Sequence, residues 1–145
     1  RALVSRPALE TLGLWSPAAE NLLLGTALVE SGLVALRQWA GPAQGVFQIE
    51  PETLEWLLGR ARVHPELGPK LAKLMTTQPY VEQLATNLAF AAAIARLRYW
   101  VVKEPLPAAD DLDALGRYWK QHYNTPKGRG DPARFAHLLK RWAKP

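Results

Sequence analysis

Apolar residues recur at helical spacing along most of the chain, and one stretch breaks the pattern. Leu9, Leu12 and Leu14 follow Pro7 and mark a short N-terminal helix. Ser16 before Pro17 reads as a helix start: the serine is the N-cap, and the proline takes the first helical position, where its missing N–H leaves nothing unpaired. Leu22, Leu23, Ala27, Leu28 and Val29 carry that helix over about 17–31, and Gly32 supplies its C-cap. Pro51 opens a helix predicted over 51–59, and another is expected over 66–75. Pro79 precedes a long helix over 80–103 whose alanine-rich middle is apolar nearly all round, which assigns it to the centre of a bundle. Helices over 110–123 and 131–143, separated by a Pro/Gly turn, complete the chain. Between residues 33 and 49 the period shortens. Val34, Leu36 and Gln38, then Gly41-Pro42, then Gly45 to Ile49, read as two short strands around a turn. The expected fold is therefore mainly α with one small β-hairpin, a single domain over 1–145 with no internal repeat.

Composition agrees with that size. At 145 residues, 48% apolar and 21% charged, the chain can bury one domain's core. The absence of cysteine excludes disulfides and thiolate metal sites, and His64, His122 and His137 are too scattered for a metal box, so no metal and no cofactor is expected. The longest nearly uncharged apolar stretch, 84–94, falls far short of the ~20 residues of a membrane span. No signal-like stretch opens the sequence, but it begins at Arg1 rather than Met, which is compatible with a removed targeting segment, so location is expected to follow from function. Charge is unevenly placed: the net value is +5, yet residues 117–145 hold eight Lys and Arg against Asp131 alone, leaving the rest slightly acidic. Such an end suits a polyanion, whether nucleic acid, anionic cell-wall polymer or membrane surface, or is simply a solvated helix face. The six tryptophans are spread along the whole chain and no nucleic-acid motif is present, so no specific nucleic-acid partner is expected.

Candidate chemistry lies between residues 26 and 53. Glu30 closes an otherwise apolar helix and is followed by Ser31 and Gly32. A carboxylate among apolar neighbours, near the negative end of a helix dipole, favours its protonated form, as a general acid near neutral pH requires. Downstream, Gly45-Val46-Phe47-Gln48-Ile49-Glu50 reads as a glycine-led strand that would put Gln48 and Glu50 on one face, with the glycine allowing close approach of a ligand.

Glu30-Ser31, Gly45-Val46-Phe47-Gln48 and Tyr123-Asn124 resemble the hallmarks of the lysozyme-like superfamily, in particular its soluble lytic transglycosylase group. A nearer similarity is to bacteriophage proteins with a lysozyme-like domain, carried by Gly41-Pro42-Ala43, Tyr118-Trp119-Lys120, Tyr123-Asn124-Thr125-Pro126 and Gly128-Arg129-Gly130, and it spans roughly residues 22–142. Phe47 stands where the transglycosylases have Met, His122 where they have Ala, and Thr125-Pro126 where they have Ala-Gly. The resemblance implies peptidoglycan glycan strands as partner and cleavage of the β-1,4 bond between N-acetylmuramic acid and N-acetylglucosamine. It assigns Glu30 as general acid and base, and Ser31, Phe47, Gln48, Tyr123 and Asn124 as substrate-binding residues, with Phe47 packing against a sugar. It also implies action on the bacterial cell wall in the periplasm, from a phage virion or within the infected host, with virion proteins as further partners.

Other readings stay open at this point. Glu50 is either a second carboxylate, making the enzyme a hydrolase of muramidase type, or a helix-start charge like Glu52. Tyr123 either presents its hydroxyl to Glu30 or is a core residue. Trp39, Trp100 and Trp119 read as core more readily than as sugar platforms, and Arg96 and Arg98 should find carboxylates or line the cleft. A non-catalytic glycan-binding or virion module, and a basic nucleic-acid-binding domain, are the competing classes.

Overall fold

A computed structural model describes residues 4–34, 36–37 and 40–142, and it is mainly helical. Trp39, Gln38 and Lys144 lie outside the described residues. Helices α1 (Ser5–Leu12), α2 (Pro17–Ser31), α3 (Pro51–Arg62) and α4 (Leu67–Ala72) are followed by α5 (Tyr80–Thr86) and α6 (Leu88–Trp100). Then α7 (Leu112–Trp119) runs directly into a π turn (Lys120–Asn124), and α8 (Pro132–Trp142) ends the described chain.

Local signals set the ends of α2. The Ser16 hydroxyl accepts the Ala19 N–H at 3.0 Å, Pro17 is the first helical residue, and Gly32 closes the helix at φ 62°. α6 is the central helix: Phe90, the run Ala91 to Ala95, Leu97 and Tyr99 are all buried, and α1, α3, α5 and α2 pack around it. α2, α7 and α8 form the other side of the core. Gly25 makes that packing possible, because a Cβ there would collide with the Phe135 ring. Phe135 in turn stacks on Trp119 with centroids 5.5 Å apart.

Three expectations are corrected. The long helix over 80–103 is broken at Asn87, whose backbone (φ −121°, ψ 90°) leaves the helical region. Its Oδ1 accepts the Phe90 N–H to start α6, while its Nδ2 donates to the Leu74 carbonyl at 2.7 Å, so one side chain both caps and anchors the break. The helix over 110–123 ends as α7 at Trp119 and widens into the π turn. No hairpin ladder forms over 33–49 among the described residues; isolated antiparallel bridges join Arg37 to Gln44 and Gln44 to Ile49. The reason is the backbone at Gly45 (φ 74°) and Gln48 (φ 48°), which turns the chain within four residues and leaves no length for strands. No helix among the described residues is long and apolar enough to cross a membrane.

Candidate active site

Glu30 sits in the last turn of α2, half-buried. The Trp119 indole Nε1 donates to its Oε1 at 3.1 Å, and Trp119 is itself buried between α2 and α8. Burial raises the Glu30 carboxyl above its ordinary value of 4.5; the Trp119 hydrogen bond and the Arg98 charge pull it part of the way back. The balance leaves an acid that holds its proton longer than a solvated glutamate, with a donor and a cation in place once the proton leaves.

Opposite stands the loop over 43–50. Gln44 and Ile49 exchange backbone hydrogen bonds of 2.9 and 3.0 Å, closing a tight turn. Two hydroxyls hold it from either side: Ser31 Oγ donates to the Val46 carbonyl and Tyr123 Oη to the Phe47 carbonyl, each at 2.7 Å. Gly45 lies so close to the Leu84 carbonyl that a Cβ could not fit, so its role is close approach to α5 rather than to a ligand. Held in this way, the loop delivers Gln48 and Glu50 to a cavity of about 780 Å³ that Glu30, Thr53, Arg98 and Asn124 also line. Gln48 and Glu50 share that cavity because of the turn, not because of strand alternation. The Gln48 amide is oriented by its own bond to the Gly45 carbonyl at 2.8 Å.

The π turn supplies the other wall. Asn124 Oδ1 accepts Lys120 Nζ at 2.8 Å and the Gly130 N–H at 3.2 Å, which leaves its NH₂ end as the donor a ligand could use. A Cβ on Gly130 would run into the Trp119 ring, so this glycine keeps the indole seated against Glu30. Thr125, also on the cavity wall, adopts φ 76° and ψ 152°, a conformation that a β-branched residue rarely takes. Arg98 reaches over the Tyr123 ring, 4.1 Å from its centroid, and donates to the Tyr123 carbonyl.

The residues named from the sequence therefore separate. Glu30, Gln48, Glu50, Tyr123 and Asn124 line one cavity. Ser31 spends its hydroxyl on the Ala27 and Val46 carbonyls, and Phe47 is buried in the core and lines a separate apolar pocket beside Leu23 and Ala92. The Tyr123 hydroxyl is bonded to the Phe47 carbonyl, and burial together with the Glu30 charge holds its proton on well above the usual phenol range. Glu50 is the N-cap residue of α3, yet its carboxylate makes no capping hydrogen bond. Of the two arginines, Arg98 lines the cavity, whereas Arg96 donates Nε to the Leu14 carbonyl and buries one terminal nitrogen without a described partner. Trp100 meets His64 edge-on and does not line the Glu30 cavity. The part played by Trp119 as hydrogen-bond donor to Glu30 is not visible in the sequence, since 89 residues separate the two. Among the described residues no group of three or more His, Asp or Glu converges to hold a metal.

Comparison with known proteins gave no match: no family model, no curated protein and no solved structure is significantly similar to the chain.

Proposed function

We propose that the chain is a peptidoglycan-cleaving glycosidase of lysozyme-like type and bacteriophage origin, acting on the β-1,4 bond between N-acetylmuramic acid and N-acetylglucosamine. The observation that carries this reading is Glu30: a half-buried carboxyl with its proton held up by burial, an indole donor on one oxygen and an open polar cleft in front of it. That is what a general acid at a glycosidic oxygen needs, and the sequence resemblance at Glu30-Ser31 and Tyr123-Asn124 points the same way.

In this reading Glu30 gives its proton to the leaving glycosidic oxygen as the bond to the muramoyl C1 breaks and positive charge develops on the ring. The resulting carboxylate is stabilised by the Trp119 N–H and by Arg98. It then takes the proton from the muramoyl 6-hydroxyl as that oxygen bonds to C1, closing a 1,6-anhydro ring and returning Glu30 to its acid form. The outcome is a lytic transglycosylase. A second reading is favoured by Glu50, which lines the same cavity with an uncapped carboxylate and could activate water instead, giving a muramidase. The cell wall is then the site of action, reached from a virion or from within the infected cell.

Incubation of purified peptidoglycan with the wild-type chain and with Glu30→Gln, followed by mass analysis, tests the reading. Soluble 1,6-anhydro products from the wild type alone support the transglycosylase, and reducing-end products that vanish in Glu50→Gln support the muramidase. Intact peptidoglycan under both proteins overturns the proposal.

A further inference from the structure

Beyond the Glu30 cavity the surface continues along α3. Thr53 and Arg98 line the Glu30 cavity on one side and a second cavity of about 420 Å³ on the other, so the two share a wall rather than lying on separate faces. Glu52, Thr53 and Trp56 occupy neighbouring positions on one face of α3, at the three- and four-residue spacings that bring helix side chains together. Trp56 lies on the wall of the second cavity and is 54% exposed. A single exposed apolar residue is ordinary. Trp56 differs from Trp15, which is also exposed but donates its indole N–H to Glu20. The Arg60 guanidinium lies over the Trp56 ring, 6.0 Å from its centroid. The polar lining is mixed: Glu52, Thr53 and His122, whose Nε2 lies 3.1 Å from the Glu104 carboxylate. Half-buried Val101 and Val102 are its apolar lining beside Trp56.

An exposed indole in a cavity lined also by two valines and by hydroxyl, carboxylate and imidazole groups matches the two chemistries of a pyranose: C–H faces that stack and hydroxyl edges that hydrogen-bond. Because the two cavities adjoin at Thr53 and Arg98, a polymer engaged at Glu30 has the second cavity as its neighbouring surface. We infer that Trp56 is a stacking platform for a sugar bound beyond the Glu30 cavity, so that the enzyme selects extended glycan strands over short fragments. This inference rests on the glycosidase reading and adds a specificity-determining residue to it.

Kinetics on long glycan strands and on short oligosaccharides that fill only the Glu30 cavity test it, with Trp56→Ala, Trp56→Phe and, as a control exposed tryptophan at the end of α8, Trp142→Ala. For Trp56→Ala the expected result is a roughly tenfold rise in KM on long strands. The change in kcat should be smaller, and the preference for long over short substrates should be lost. Phe should restore most of that preference, and Trp142→Ala should keep it. A Trp56→Ala protein that keeps the wild-type preference overturns the platform while leaving the glycosidase reading intact. Equal losses on long and short substrates overturn it too, since they would place the effect at the reacting sugar. A wild-type chain that cleaves neither substrate removes both proposals.

Discussion

Glu20 and Glu30 stand near opposite ends of α2, and each accepts a tryptophan indole N–H, yet their surroundings differ. Glu20 is buried at 2% exposure and takes Trp15 Nε1 at 2.9 Å and Arg6 Nε at 3.0 Å on the same oxygen. Its charge is matched on the spot, and its work is to pin the N-terminal segment to α2. Glu30 has Trp119 alone as hydrogen-bond donor to its side chain among the described contacts, feels Arg98 through space, and faces an open cavity. Helix and residue type are the same in the two cases. A carboxylate becomes structural when donors and a cation close around it, and chemical when burial raises its proton affinity while one side stays open to a ligand.

The largest test of this contrast is Glu30→Gln. General acid and base groups are worth about 10² to 10⁴-fold, so peptidoglycan cleavage should fall by at least that lower figure. Folding should persist, because the glutamine oxygen can still accept the Trp119 N–H. The pH dependence of stability sharpens the point. With the folded carboxyl held above 4.5, protonated Glu30 favours the folded state; that contribution is complete below about 4.5 and disappears as the pH rises through the raised value. Thermal melts of Glu30→Gln should therefore gain on the wild type with rising pH, and a constant difference between the two would contradict the raised carboxyl.

Glu20→Gln should show the opposite signature. The glutamine oxygen can still accept the Trp15 and Arg6 donors, but the buried negative charge that strengthens both bonds is gone, which costs about 1–3 kcal/mol, discounted here because Arg6 is half open to water. Specific activity of the folded protein should stay near wild type. A Glu20→Gln protein of undiminished stability and reduced activity would erase the distinction between the two ends of α2.

Smaller again is Tyr123→Phe, which removes the hydrogen bond to the Phe47 carbonyl and should lower stability by about 1 kcal/mol. Urea unfolding measures that loss, and a larger loss in turnover than in stability would show the hydroxyl acting on substrate after all. The finest comparison sets Trp119→Phe against Trp15→Phe. Without the Trp119 N–H the Glu30 carboxyl should rise further, moving the alkaline limb of the activity profile to higher pH. Trp15→Phe removes a donor to Glu20, beside Arg6, and none to Glu30, so it should leave that profile in place.

Much of the helical frame was legible because the signals are local. Ser16 before Pro17, Gly32 after Ser31 and the apolar alanine run of α6 each act within one or two turns, so neighbours in sequence decide them. The break at Asn87 was also written locally, as an asparagine before an apolar run, but its weight comes from the Leu74 carbonyl that its side chain anchors. The hairpin expectation failed for a related reason. Alternation over 33–49 reports a period, whereas the positive φ angles at Gly45 and Gln48 and the contact of Gly45 with the Leu84 carbonyl set the path of the chain.

The sequence alone determined that the chain is mainly helical and that Glu30, at the end of an apolar helix, is the carboxylate to watch. The tertiary structure alone decided which side chains surround it. Ser31 and Tyr123 hold the facing loop with their hydroxyls, Phe47 turns into the core, and Trp119 arrives from α7 to donate its N–H. Spacing along a helix or turn fixes direction within a few residues, but a hydrogen bond between residues far apart in the chain exists only once the core has packed. In this protein that packing is the approach of α8 to Gly25 and the stacking of Phe135 on Trp119, which bring the indole to Glu30.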